Sequence, residues 1–221
     1  MTAVKGNDVM ISPDDITALF QRNGAYGFSR WGRPIAPVVF GVEDETLVVV
    51  KGALEAVTTL ARHDIMETDP EFGSNLWVFF LRDWDELKGV PDMDGLIPEM
   101  DALLPRLTKA NANQYRFFRF DTHGAIKAGF LFLRMDDALS QIPADVLALG
   151  QMVQMILLWG DQAFATTSPL AIHPDTGHTV LRPEIAQIIQ AGYDPILPSV
   201  ATDSSHALRL FARIPPTSSV V

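Results

Sequence analysis

The side chains that commonly do chemistry are sparse in this sequence and form no complete catalytic set. There are no cysteines, which excludes thiolate metal sites, a cysteine nucleophile and a disulfide framework. No two of the five histidines are three or four residues apart; they are His63, His123, His173, His178 and His206. Only one group offers a metal site, since His173, Asp175 and His178 flank one short loop. We keep a metal site there as a hypothesis, beside the alternative of a polar surface turn.

A second candidate lies in the most apolar long segment, residues 143–161. A zinc-peptidase helix carries two histidines four residues apart with a glutamate beside the first, because that spacing places both ligands on one face. The corresponding positions here hold Gly150, Gln151 and Gln154. Glycine offers no ligand, and a neutral amide is a poor zinc ligand and no general base. We therefore predict a helix without catalytic function, whose two amides hydrogen-bond neighbouring backbone.

Three further patterns carry weaker chemical signals. Residues 115–120 interleave aromatic residues with arginines, as RNA-binding strands do. However, 27 acidic against 17 basic residues and a net charge of −10 disfavour binding to nucleic acid or to anionic membrane. Ser168 and Ser199 lack the glycines of a nucleophile elbow. The acidic residues at 67–71 are expected to form a solvated loop.

The elements that would position these residues can be predicted from local patterns. Residues 143–161 predict a buried central helix that begins at Pro143 and ends near Gly160. Ser12 and Asp15 predict a capping box at an earlier helix, and helical spacing recurs at 44–62, 183–191 and 203–213. Strands are predicted at 35–42, 63–68, 75–81, 115–120 and 125–134. This pattern predicts an α+β fold, with a mixed sheet of about five strands, a buried central helix and C-terminal helices.

The chain is predicted to be one domain over residues 1–221, because 48% of its residues are hydrophobic and no linker divides it. We expect a loose arm at 1–10, a peripheral insertion at 88–113 and a disordered tail at 215–221. Residues 143–161 are too short and too interrupted for a membrane span. The first residues do not resemble a secretory signal, which predicts a cytoplasmic protein, or an exported one if a leader has been removed.

Four stretches resemble, in the same order, an uncharacterised proteobacterial family of unknown function: residues 30–35, 75–80, 151–161 and 181–195. The resemblance spans residues 31–198 and implies a metzincin-like fold with an eroded active site. Where the family's helix has glutamate, glycine and asparagine, this chain has Gln151, Leu157 and Gly160. Family members usually carry an export signal and often cysteines, and this sequence shows neither.

These observations predict a bacterial, zincin-like pseudoenzyme that binds a protein or peptide partner without a cofactor. A peptide would add a strand to a sheet edge beside the central helix. Two alternatives stay open. A hydrolase would hold zinc at His173, Asp175 and His178, whereas a structural subunit would use the apolar strip of the last helix in an oligomer. The ligand and the oligomeric state stay undetermined at this stage.

Overall fold

The computed structural model describes residues 11–90, 97 and 99–215. Seven α-helices lie in this part of the chain: α1 (Pro13–Leu19), α2 (Asp44–Ala61), α3 (Met100–Lys109), α4 (Asp137–Ser140), α5 (Ala144–Ile156), α6 (Pro183–Gly192) and α7 (Ser205–Phe211). A 3-10 helix spans Trp84–Gly89. The strands are β1 (Gln21–Arg22), β2 (Ala25–Tyr26), β3 (Phe28–Ser29), β4 (Pro37–Phe40), β5 (Leu76–Leu81), β6 (Gln114–Phe120), β7 (Ile126–Arg134), β8 (Leu170–Ile172), β9 (Thr179–Leu181) and β10 (Val200–Ala201). The fold is therefore of the α+β class.

A four-stranded mixed sheet organises the molecule, with the strand order β4-β5-β7-β6. β4, β5 and β7 are parallel, whereas β6 pairs antiparallel with β7, to which residues 121–125 connect it. Three two-stranded ribbons lie outside this sheet, formed by β1 with β2, β3 with β10, and β8 with β9. Because β6 pairs with β7 alone, it is an edge strand of the described sheet.

Helices cover both faces of the sheet, which explains why β5 is a nearly continuous apolar run. On one face, Leu76, Val78 and Leu131 pack in a core with residues of α2, α5 and α6. On the other face, α3 and the 3-10 helix cover a second core. Rings in that second core stack across neighbouring strands, with centroids 4.6 Å apart for Trp77 and Phe130 and 4.9 Å apart for Phe79 and Phe132. Burial on both sides holds the sheet between two helical layers.

The predicted central helix is confirmed as α5, although it ends earlier than expected. Seven of its residues are buried, and it packs beside α2. Leu157 is already extended and bridges Arg30, and the N–H of Leu158 donates to the Ser29 carbonyl at 2.9 Å. Gly160 does not terminate the helix. Its N–H donates to the Leu19 carbonyl at 2.7 Å, and a Cβ there would lie 2.4 Å from the Gln21 carbonyl oxygen.

Two sequence-based expectations need correction. The sheet has four strands and not about five, because residues 63–68 form only an isolated bridge between Ile65 and Ile35. The acidic loop is not wholly solvated, since Asp69 is buried. Its carboxylate accepts the N–H groups of Glu71 and Phe72 and the side-chain amide of Asn75, and these bonds tie the loop to the protein.

The predicted boundary segments fall largely outside the described part of the chain. The arm at 1–10, residues 216–221 of the tail, and residues 91–96 and 98 of the proposed insertion are not described. The described remainder of residues 88–113 includes α3, which packs on the sheet and contributes Leu103, Leu104 and Leu107 to its second core. No helix in the described ranges combines the length and the apolar composition needed to cross a membrane.

Candidate functional site

A groove lies along the outer edge of β6, and we call it the edge groove. It encloses about 510 Å³ between β6 and the segment that follows α5. Its walls are Arg22, residues 115–118, Phe120, Gln154, residues 158–161, Ala163 and Phe164. Consecutive side chains of a strand point to opposite faces, so a pocket lined by residues 115–118 must run along the strand's edge. The edge groove therefore lies where an added strand would sit.

The hydrogen-bond register shows which backbone groups of β6 face this groove. The Arg134 N–H donates to the Asn113 carbonyl at 2.8 Å, so Asn113 faces β7. The N–H of Gly129, which lies opposite Phe118, points instead to β5 and donates to the Asn75 carbonyl at 2.8 Å. Because facing alternates along an antiparallel strand, the backbone groups of Gln114, Arg116 and Phe118 point away from β7. These groups are the ones that a further strand would pair with.

Arg116 places a cation in the wall of the edge groove, on the face of β6 that meets α5. Its Nη2 donates to the side-chain oxygens of Gln114 and Gln151, each at 3.2 Å, and its Nη1 donates to that of Gln154. The Gln151 amide nitrogen donates in turn to Gln114 at 2.8 Å. Three neutral amides thus hold the guanidinium against α5.

No carboxylate in the described part of the chain balances this cation. None in the described residues comes within 4.0 Å of the Arg116 nitrogens, and its Nε–H is inaccessible and has no hydrogen-bond partner there. Desolvation by burial lowers the pKa of Arg116 to about 10, since burial disfavours the charged form. The guanidinium is still protonated at neutral pH and remains an uncompensated positive charge.

The opposite wall is built from the extended segment after α5. Arg22 donates to the Trp159 carbonyl at 2.8 Å and lies 3.8 Å from the Asp161 carboxylate. Asp161 also accepts the Asn23 N–H at 2.7 Å. The Trp159 ring packs edge-on against Phe164, with centroids 4.9 Å apart. The acidic group of this wall is therefore already paired, and much of the remaining lining is apolar or aromatic.

The structure brings two of the three degenerate metal-helix positions to this site. Gln151 is buried and Gln154 lines the edge groove, and both contact Arg116. The predicted bond to backbone is present only for Gln154, which donates to the Gly150 carbonyl at 3.1 Å. A Cβ on Gly150 would lie 3.6 Å from Leu170, an ordinary contact, so packing there does not demand glycine.

The candidate metal residues lie elsewhere, in the turn between β8 and β9. The His173 N–H donates to the His178 carbonyl at 2.8 Å, and the Asp175 N–H donates to the His173 Nδ1 at 3.3 Å. In the described ranges, no three histidine, aspartate or glutamate side chains are arranged to hold a metal ion. The structure does not bring His173, Asp175 and His178 together as a ligand set, and zinc at this turn stays a prediction.

Sequence reasoning missed Arg116 as a site residue. The available signal was an arginine inside an aromatic strand, at a position that shares its face with Phe118. An arginine on a covered face of a sheet needs polar partners, and two of its three partners, Gln151 and Gln154, are 35 and 38 residues away along the chain. No local spacing connects residues so far apart.

No model of a known protein family, no curated protein and no solved structure matches this chain. The functional interpretation is therefore based on the geometry of the edge groove.

Proposed function

We propose that this chain is a non-catalytic binding domain that takes an extended peptide of a partner protein in the edge groove. One observation carries the proposal: the outward backbone groups of Gln114, Arg116 and Phe118 face a groove that runs along the edge of β6. Peptides bind such edges by adding a strand, whose backbone contributes affinity and whose side chains contribute specificity.

The metzincin-like architecture is part of the same proposal. A buried helix, α5, packs in the core on one face of a mixed sheet, an arrangement that such an architecture would contain. The positions that would hold the metal ligands and the general base are Gly150, Gln151 and Gln154, and the two glutamines are engaged with Arg116. These features support a domain that binds in the cleft of such a fold without hydrolysing what it binds.

Selection from a library of random octapeptides, displayed against the immobilised chain, tests the proposal. We expect enriched peptides to slow amide hydrogen exchange at Arg116 and Phe118, whose N–H groups point into the groove, and to leave Tyr115 and Phe117 unchanged. Two peptides are compared, each with backbone N-methylation at every second residue and the two patterns shifted by one residue. One pattern should abolish binding and the other should not, since only every second N–H of an added strand pairs. Failure to enrich any peptide over the bare support would refute the proposal.

A matched pair of variants localises binding to one edge of the sheet. Phe120 is 40% exposed on β6 and lines the groove, whereas Phe40 is 45% exposed on β4, at the opposite edge. Phe120→Glu should weaken peptide binding because it places a charge on an apolar wall, and Phe40→Glu should not. Equal losses in both variants would place the peptide elsewhere.

A second candidate, a subunit of an oligomer, is favoured by the exposure of α7. Leu208 is 57% exposed there and Phe211 is 37% exposed. Multi-angle light scattering across a hundredfold concentration range tests it, with Leu208→Ser as the variant. A molecular mass that stays at one chain throughout would exclude this candidate.

A further inference from the structure

The lining of the edge groove has a net positive charge, because it contains two arginines and one carboxylate. Its charged lining consists of Arg22, Asp161 and Arg116. Asp161 is paired with Arg22 at 3.8 Å and accepts the Asn23 N–H, so it is engaged on the far wall. Among the described residues, Arg116 meets only amide oxygens. A charge in a partly desolvated wall is costly unless an opposite charge approaches it, and residues 11–90, 97 and 99–215 supply no carboxylate within 4.0 Å.

The geometry allows a ligand to reach this cation. Arg116 and Gln154 both line the groove, and the Gln154 amide is one of the groups that cap the guanidinium. Gln154 lies in the last turn of α5 and is only partly buried. Rotation of its side chain would release Nη1 towards the groove without moving β6 or α5. A carboxylate accepts such a bond more strongly than a neutral amide does.

We propose that the edge groove contains a carboxylate-binding subsite at Arg116, so that the peptide it takes is one with a carboxylate next to apolar side chains. The inference rests on the proposed function and adds the chemical class of the ligand. The carboxylate comes from either the peptide's C-terminus or an aspartate or glutamate side chain, and both present the same group to the guanidinium. Phe118, Phe120, Leu158 and Phe164 line the groove and supply the apolar surface for its neighbours.

A small probe tests the subsite without any peptide. N-acetylphenylalanine and its carboxamide differ only in the group that would meet Arg116, which is a charged carboxylate in the first and a neutral amide in the second. Binding of each can be followed through the Arg116 Nε–H signal in the NMR spectrum, which is assigned by its disappearance in Arg116→Met. We expect the acid to shift this signal at a concentration at least about tenfold below that of the amide. Equal responses to acid and amide, or none to either, would overturn the inference.

Arg116→Met and Arg119→Met form a matched pair of variants. Arg119 lies on the same strand but outside the groove lining, and its guanidinium lies over the Phe130 ring at 5.8 Å. The roughly tenfold preference for the acid should persist in Arg119→Met and fall to about one in Arg116→Met. A preference retained in a folded Arg116→Met protein would place the carboxylate elsewhere. If Arg116→Met does not fold, the Arg116 Nε–H signal is assigned instead from side-chain correlation spectra of the unaltered protein, and the acid and amide comparison on that protein still decides.

Peptides enriched from the octapeptide library identify the source of the carboxylate. Each is compared as the free acid, as the C-terminal amide, and as the free acid with aspartate and glutamate exchanged for asparagine and glutamine. A loss of about tenfold on amidation assigns the terminal carboxylate, and a similar loss on side-chain exchange assigns an acidic residue. Peptides that bind equally well in all three forms would overturn the carboxylate subsite and leave the peptide groove standing. If the library yields no enriched peptide, the proposal of peptide binding in the edge groove is refuted. The comparison of N-acetylphenylalanine with its carboxamide then tests the carboxylate subsite by itself.

Discussion

Acidification is expected to destabilise this protein through His206. The imidazole is 3% exposed, its Nδ1 lies 2.8 Å from the Tyr26 hydroxyl, and its Nε2 is buried without a partner among the described residues. Desolvation by burial, together with the smaller effect of the charges of Arg209, Arg213 and Arg30, lowers the pKa of His206 to about 4. The ring is therefore held neutral in the folded protein.

The sign and size of the effect follow from this pKa. An unfolded chain binds the proton near the ordinary value of 6.5, whereas the folded chain resists it until about pH 4. Between these values the unfolded state binds more protons, so stability is intact above pH 6.5 and is lost as the pH falls towards 4. Each pKa unit corresponds to about 1.4 kcal/mol, so the full loss is about 3 kcal/mol, of which about 2.5 kcal/mol falls between pH 7 and pH 4.5.

Urea unfolding followed by tryptophan fluorescence measures this loss. The reference is the double variant Tyr26→Phe with His206→Phe, because the second substitution removes the titrating group and the first avoids a buried hydroxyl without a partner. Burial also lowers the pKa of His63, and several carboxylates titrate in acid, but these groups are present in both proteins and cancel in the comparison. The unaltered protein should lose about 2.5 kcal/mol more than the variant between pH 7 and pH 4.5. Parallel losses in the two proteins would refute the reasoning.

Four further substitutions test the fold by thermal or urea unfolding. Gly160→Ala should destabilise by about 2 kcal/mol or more, because its Cβ would lie 2.4 Å from the Gln21 carbonyl oxygen. Gly52→Ala, where nothing lies within 4 Å of the added carbon, should instead stabilise α2 by about 0.5–1 kcal/mol, and equal effects of the two would contradict the close approach. Asp69→Asn should cost about 3 kcal/mol, since Oδ2, which accepts from the Asn75 amide and lies 3.5 Å from Arg33, becomes an NH2 group that faces two donors, and a cost below about 1 kcal/mol would count against that network. Ser12→Ala should cost about 1 kcal/mol through loss of the observed capping box, and no change would show that α1 does not depend on it.

Local sequence patterns determined most of the elements. The capping box at Ser12, the helix at Asp44–Ala61, the apolar strand at Leu76–Leu81 and the helix at Pro183–Gly192 lie within a few residues of their predicted positions. Caps, periodicity and helix-ending residues act over one or two turns, so a single segment contains the information that specifies them. The α+β class follows from the order of these segments.

Pairing between distant segments determined the features that local sequence patterns did not predict. α5 ends at Ile156 because the next residues pair with the backbone of Ser29 and Leu19, which are distant in sequence. Residues 63–68 make only one bridge to Ile35, because the next donor in that parallel ladder would be residue 37 and Pro37 has no N–H. In both cases the partner segment, and not the local sequence, decided the outcome.

In the candidate site too, some features were predictable from the sequence and others depended on the tertiary structure. The sequence by itself marked Gln151 and Gln154 as polar residues in an apolar helix, and it predicted that they are poor zinc ligands and not a general base. Only the tertiary structure decided that β6 lies at the sheet's edge and that Arg116 rests on those two amides. Strand order depends on which chain segments pack together in three dimensions, and a side chain's charge partners depend on that order. The edge groove and its unbalanced cation are therefore properties of the assembled sheet and helix.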